Sequence, residues 1–290
     1  MPRVAVVTDS ASDLDAAQAQ AAGVTVVPLL VTFGAREFRA GVDMSPTQFW
    51  TELTAPGAPF PRTAAAAPGT FQQTFTQLFD DGAAEIVYVG VGEKLSATIQ
   101  SAKVAREMLP GRPIRIIDSA SASMGTGLLA LLAAQLAAAG QSADEIADQI
   151  ERRRAGLRLY VVLETLEYLK RGGRISPARA AIGGVLSVKP IITLEDGVVE
   201  TADRPRTRGK ARARLLELLA EVKPEKVAVL HGQSPDVEAF AAELAAATGY
   251  ARDQMSIHLI GSSVGPHVGP GAYGAVILPP PERESDELAG

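Results

Sequence analysis

Apolar runs of strand length alternate with segments of helical period along the first half of the chain. Val4 to Thr8 is expected to be a strand, Leu14 to Ala22 a helix and Thr25 to Val31 a strand, with further strands at Ile86 to Val91 and Ile114 to Ile117. That order predicts a largely parallel sheet covered by helices. Helix starts are marked by Ser12 before Asp15, by Pro68 ahead of Phe71, Phe75, Leu78 and Phe79, and by Ser142 with Glu145 three residues on. The most apolar window, Met124 to Ala139, is broken by Gly125, Gly127 and Gln135. It falls short of the roughly 18 apolar residues that suggest a membrane span, so it is expected to be a buried helix of a soluble protein.

From about Leu157 the texture changes. A strand over Leu157 to Leu163 is followed by a glycine pair at Gly172 and Gly173, then by a hairpin in which Ile191 to Leu194 meets Val198 to Thr201 across Glu195, Asp196 and Gly197. Strand, helix and strand are expected at Val227 to Leu230, Pro235 to Ala247 and Ser256 to Ile260, and a final strand at Tyr273 to Leu278. The predicted fold class is therefore α/β with two domains: an N-terminal one over 1–159 with a mainly parallel helix-covered sheet, and a C-terminal one over 160–280 with a mixed sheet. The tail over 281–290, charged and preceded by prolines, has little to bury.

Composition narrows the function. A chain of 290 residues with 47% hydrophobic content can bury the cores of two domains. The 28 basic and 33 acidic residues give a net charge of -5, which argues against a general nucleic-acid binder. The absence of cysteine excludes disulfides and thiolate zinc sites and fits a cytoplasmic location. The amino terminus has only a five-residue apolar stretch before Asp9, too short for a signal peptide.

Three short matches are set aside. Gly261-Ser262-Ser263-Val264-Gly265 spells the hydrolase elbow, yet Pro266, Gly269 and Gly271 are expected to prevent the following helix, and no acidic residue separates Ser263 from His267. Gly269, Gly271 and Gly274 spell a dinucleotide fingerprint, but a strand follows where a helix is required. Asp9 and Asp13, among serines at a helix start, are read as caps, and no metal site is expected.

Four segments place a small hydroxyl or an imidazole among glycines and alanines at element ends: RTAAAAPGTF at Arg62 to Phe71, LSATIQSA at Leu95 to Ala102, LEYLKRGGRIS at Leu166 to Ser176, and GPHVGPG at Gly265 to Gly271. Together with TDS and SDL at the opening strand, VVPLLV at Val26 to Val31, IIDSASASMGTG, and KPII at Lys189 to Ile192, they run in the order of the DegV family. The chain resembles that family over nearly its whole length. DegV proteins are fatty-acid-binding carrier subunits of bacterial fatty acid kinase.

The resemblance implies a long-chain fatty acid in a buried tunnel, with its carboxylate held at Thr63, Ser96 and His267 and presented to a fatty acid kinase subunit. It implies no cofactor, no catalytic centre in the carrier and no stable membrane insertion. The physical logic agrees, since a carboxylate leaving water needs donors, and Ser96 can supply a hydroxyl while capping a helix from Ala97 onward. Each buried methylene of the acyl chain adds about 0.8 kcal/mol before ordering costs. Ala64, Ala65, Ala66 and Ala67 replace the family's polar SQPS, which points to a looser head-group loop or another lipid, and Ala97 replaces a glycine.

Lys170, Arg171 and Arg174 can be read as cations at a helix C-terminus; the resemblance instead implies that Arg171 or Arg174 docks the kinase without touching the lipid. The basic stretch from Arg204 to Arg214 is most simply a solvated face. His231 and His258 are left outside the site. The competing readings are a serine hydrolase acting on acyl esters through Ser96 or Ser263 with His267, for which no orienting carboxylate is identifiable, and a small-metabolite or nucleotide sensor.

Overall fold

The computed structural model describes residues 3–175 and 188–281. Val4–Asp9 (β1) is buried at all six positions, as a strand covered on both faces must be. It pairs in parallel with Val24–Val27 (β2) on one side and Glu85–Gly90 (β6) on the other, and β6 pairs in parallel with Ile114–Asp118 (β7). The first sheet therefore has the order β2-β1-β6-β7.

Pro28 divides the strand expected over Thr25 to Val31, because proline has no N–H to continue the ladder. After it, Leu30–Phe33 (β3) leaves the first sheet and pairs antiparallel with Arg36–Arg39 (β4) and Arg62–Ala64 (β5). This small sheet, and the helix Pro46–Thr54 (α2) with its Ser45/Gln48 capping box, are features the apolar pattern does not disclose. The first helix, Ala16–Ala22 (α1), starts at Asp15 with Gln18 completing its capping box, while Ser10–Ser12 forms a separate single turn capped by Asp9.

Helices Pro68–Asp80 (α3) and Thr98–Glu107 (α4) cover one face of the first sheet; Met124–Ala138 (α5) and Ala143–Gly156 (α6) cover the other. The strand residues sort accordingly: Ala5, Val7, Ile86 and Tyr88 pack toward α3 and α4, and Val4, Val6, Val87 and Val89 toward α5.

The second sheet has the order β10-β9-β8-β13-β11-β12. Its strands are Arg158–Val162 (β8), Ile191–Glu195 (β9), Val198–Asp203 (β10), Lys226–His231 (β11), Ser256–Leu259 (β12) and Tyr273–Leu278 (β13). Among the described residues of this sheet only β11 and β12 pair in parallel, so the sheet is mixed. Asp196 (φ 47°) and Gly197 (φ 75°) make a two-residue turn between β9 and β10, the geometry an Asp-Gly pair favours. The helix Glu167–Arg171 (α7) follows β8, Arg208–Ala220 (α8) and Val237–Thr248 (α9) cover the outer face, and Gly265–Val268 (α10) is a single turn.

Helix α5 contacts β1 and β6 of the first sheet and β11 and β13 of the second. It is apolar all round because both sides are buried. One core accordingly runs from Val6 and Val89 through Leu129 to Leu159, Ala228 and Val276. Residue 160, where the second domain is expected to begin, falls inside β8. Among the described residues no helix is long and apolar enough to cross a membrane. The tail expected from 281 onward lies outside the described residues after 281.

Candidate functional site

Between the two sheets, beyond the carboxyl ends of β1 and β6, lies a cavity of about 310 Å³. Crevices at strand carboxyl ends are where open α/β sheets hold ligands. Leu159, Val161, Ile192, Leu194, Val199 and Leu230 supply the wall from the second sheet, and Ala11, Leu29 and Val91, just past the ends of β1, β2 and β6, supply the facing one. The polar lining comes from Thr63, Ser96, Ser123, Arg174, Ser263 and His267. Three widely separated residues expected at a head-group site, Thr63, Ser96 and His267, thus line one cavity.

Thr63 is the middle residue of β5 and sits opposite Val31 of β3. Its Oγ1 lies 3.1 Å from Nε2 of His267. His267 is held by α10, a helix the glycines and Pro266 were expected to prevent. Pro266 opens it, since a first-turn proline lacks only an N–H that has no intrahelical partner, and Gly269 (φ 74°) ends it. Gly172 makes room for the ring, because a Cβ there would collide with Nδ1 of His267.

Burial, and secondarily the charge of Arg174, pull the pKa of His267 down to about 4, so the imidazole is neutral near pH 7. Its Nδ1 is buried with no hydrogen-bond partner among the described residues. With the proton on Nε2 the ring donates to Thr63, and the Thr63 hydroxyl proton is left free for an anion in the cavity.

Ser96 stands one residue further from its helix than the sequence suggests. Helix α4 begins at Thr98 after Ala97, and the Ser96 hydroxyl accepts from the Thr98 N–H at 3.3 Å. Ser96 Oγ and Thr98 Oγ1 are 2.7 Å apart. One of the two hydroxyls donates in that bond and the other accepts; with the fully buried Thr98 donating, the Ser96 proton is left for whatever the cavity holds.

Arg171 and Arg174 occupy different surroundings. Arg171 is exposed, its guanidinium 4.0 Å from the centre of the Phe60 ring. Arg174 is half-buried and lines the cavity, donating from Nε to the Leu95 carbonyl at 3.0 Å and from Nη1 to the Gly172 carbonyl at 2.7 Å. Burial lowers its pKa from the ordinary arginine value. Cations at a helix C-terminus suggest dipole compensation, and nothing in the sequence marks Arg174 as a cavity residue.

Thr63, Arg174 and His267 also line a second, outer groove of about 540 Å³, with Phe60, Pro61, Arg62, Arg171 and Gly172. These three residues form a polar partition, with an apolar cavity on one side and a groove carrying three arginines on the other.

Ser263 lines the cavity but pairs with Ser10, Oγ to Oγ at 2.8 Å, and Ser10 accepts from the Leu29 N–H. Among the described residues no carboxylate orients His267, whose hydrogen bond is to Thr63. Asp9 caps its turn as expected and also accepts from Tyr88 and the Val91 N–H. Asp13 caps no helix start with its side chain: it ends the Ser10–Ser12 turn, its carboxylate accepts from the Ser123 hydroxyl and, at 2.9 Å, from the Gly261 N–H, and burial raises its pKa to about 7. In the basic stretch Arg208, Arg212 and Arg214 are ion-paired with Glu164, Asp236, Glu243, Asp203 and Glu217. His258 is buried with a pKa lowered to about 4 by desolvation, and lines none of these cavities.

A family model described as "Uncharacterised protein, DegV family" matches residues 3–280. A DegV domain-containing protein of Streptomyces coelicolor is 35% identical over 277 residues, covering 94% of this chain and 98% of the relative. Among solved structures, one described as fatty acid binding of a DegV family protein from Thermus thermophilus is 33% identical, with a TM-score of 0.87 over 96% of this chain and 99% of its own. A stearic-acid-binding protein from Eubacterium ventriosum is 25% identical, with a TM-score of 0.84 over 95% of this chain and 98% of its own.

Proposed function

The chain belongs to the DegV family, and on that premise we propose that it binds a long-chain fatty acid, with the acyl chain in the apolar cavity and the carboxylate at Thr63, Ser96 and His267. The observation that carries this reading is the polar partition: Thr63, Arg174 and His267 line both the apolar cavity and the outer arginine groove. An amphiphile with a long apolar chain and an anionic end matches those two surroundings. The neutral imidazole orients the Thr63 hydroxyl, the Thr63 and Ser96 hydroxyls donate hydrogen bonds without adding charge, and Arg174 supplies the counter-charge beside them. The fatty acid of the Thermus protein and the stearic acid of the Eubacterium protein are ligands of this class.

We further propose that the protein is a cytoplasmic carrier with no catalytic centre of its own, presenting the carboxylate through the outer groove to a partner fatty acid kinase. Arg171 is exposed at that groove and stacked on Phe60, which supports a role for it in meeting the partner without reaching the lipid. Calorimetric titration with palmitate and oleate tests the ligand, and incubation of the loaded protein with a fatty acid kinase and ATP tests the transfer. Saturable binding with acyl phosphate formed only when both proteins are present is expected. Failure to bind either acid overturns the first proposal; binding without phosphorylation overturns the second.

A further inference from the structure

The apolar cavity has a second wall besides the polar partition. Leu159 and Leu194 line both this cavity and a separate polar pocket of about 660 Å³. That pocket is bounded by charged side chains, among them Asp118, Glu151, Arg154, Arg158 and Glu195. The two leucines are neighbours. Tyr160 pairs with Thr193 in the antiparallel register of β8 and β9, and Leu159 and Leu194 stand one step further along it.

Strand β8 sets the direction. Leu159 stands near its start, while Leu169 and Arg174 follow its C-terminal end and line the same cavity. The strand thus runs from the leucine wall toward the polar partition. The turn after β9 also lies against the first half of the chain: an added Cβ at Gly197 would be in van der Waals contact with the Ala120 Cα, at 3.5 Å, in the loop after β7.

From these observations we infer that Leu159 and Leu194 stop the methyl end of the acyl chain and set the longest acid the protein accepts. This inference rests on the fatty-acid reading. Each methylene that fits between the partition and the leucines leaves water and strengthens binding, by about 4-fold at about 0.8 kcal/mol. A methylene pushed past them would enter a pocket bounded by charges and gain nothing. Affinity should therefore rise with chain length, then break. Leu194 is the better position to test, because it is only partly buried whereas Leu159 is 7% exposed and belongs to the core.

The experiment is a binding series of saturated acids from lauric to arachidic, measured on the full chain, Leu194→Ala and Leu194→Trp. Leu194→Ala is expected to move the break to longer acids by at least one two-carbon step, and Leu194→Trp to move it to shorter ones. A break at the same acid in both variants, with binding retained, overturns the inference while leaving fatty-acid binding intact. Absence of binding across the series in the unmodified chain overturns the fatty-acid reading itself.

Discussion

Thr63 and His267 stand 204 positions apart in the chain, yet the Thr63 hydroxyl and Nε2 of His267 are 3.1 Å from each other at the boundary of two cavities. The contact joins the small sheet of the first half to the single-turn helix before the last strand. A hydrogen bond from a hydroxyl to a carboxylate contributes about 1.5–3 kcal/mol, or about 10- to 150-fold in affinity. Thr63→Val is expected to weaken fatty acid binding by that order, and Thr63→Ser to restore most of it. Calorimetric titration of the two variants checks this.

Gly172 carries a second prediction. A methyl group there would collide with the His267 ring, whereas a Cβ at Gly173 meets no atom within 4 Å. Gly172→Ala should reduce lipid affinity about as much as His267→Ala. Gly173→Ala should cost about 1–2 kcal/mol of stability, because Gly173 adopts φ 69°, but leave affinity unchanged. Binding titration and thermal unfolding on the same samples separate the two effects.

Stability should depend on pH through buried groups of opposite sign, His267 and Asp13 among them. His267 has a pKa lowered to about 4, so its contribution is present above the ordinary histidine value of 6.5 and is lost as pH falls toward 4. Asp13 has a pKa raised from 3.8 to about 7, so its contribution is present below 3.8 and is lost as pH rises toward 7. Asp13→Asn should remove the second dependence. Asparagine tolerates the positive φ of 54° at this position, so the variant is expected to gain more in Tm at pH 8 than at pH 5. Equal shifts at both pH values would contradict the assignment.

The two arginines should separate functionally. Arg174→Ala is expected to lower lipid affinity, since Arg174 lines the cavity half-buried, while Arg171→Ala should leave affinity unchanged and slow phosphorylation by a fatty acid kinase. Lipid titration and a phosphorylation assay on both variants check this.

Much of the fold is legible because local rules and tertiary structure agree. The Ser142/Glu145 capping box, the helix opening at Pro68, the Asp196-Gly197 turn and the last strand at Tyr273–Leu278 lie where pattern and turn chemistry place them. Illegible parts have weak local signals. The small sheet of β3, β4 and β5 is built from strands of three or four residues, one of them bearing Arg36, Glu37 and Arg39, so no alternation marks it. The site divides in the same way. Thr63, Ser96 and His267 are named by the family resemblance and brought into one cavity by the fold, whereas Arg174 and Gly172 act through Leu95 and His267, partners remote in sequence, and Thr98 acts through Ser96 across a helix start that lies one residue later than the sequence suggests. Leu159 and Leu194 look like ordinary core residues in the sequence. Their place at a cavity wall depends on how two strands align.

The most direct test of the central claim is mass spectrometry of the protein purified from a bacterial host without added lipid, first intact under native conditions and then after solvent extraction. One long-chain fatty acid per chain is expected, with occupancy strongly reduced in the Thr63→Val, His267→Ala double variant. An unmodified chain that carries no fatty acid and takes up none when palmitate or oleate is added would contradict the account.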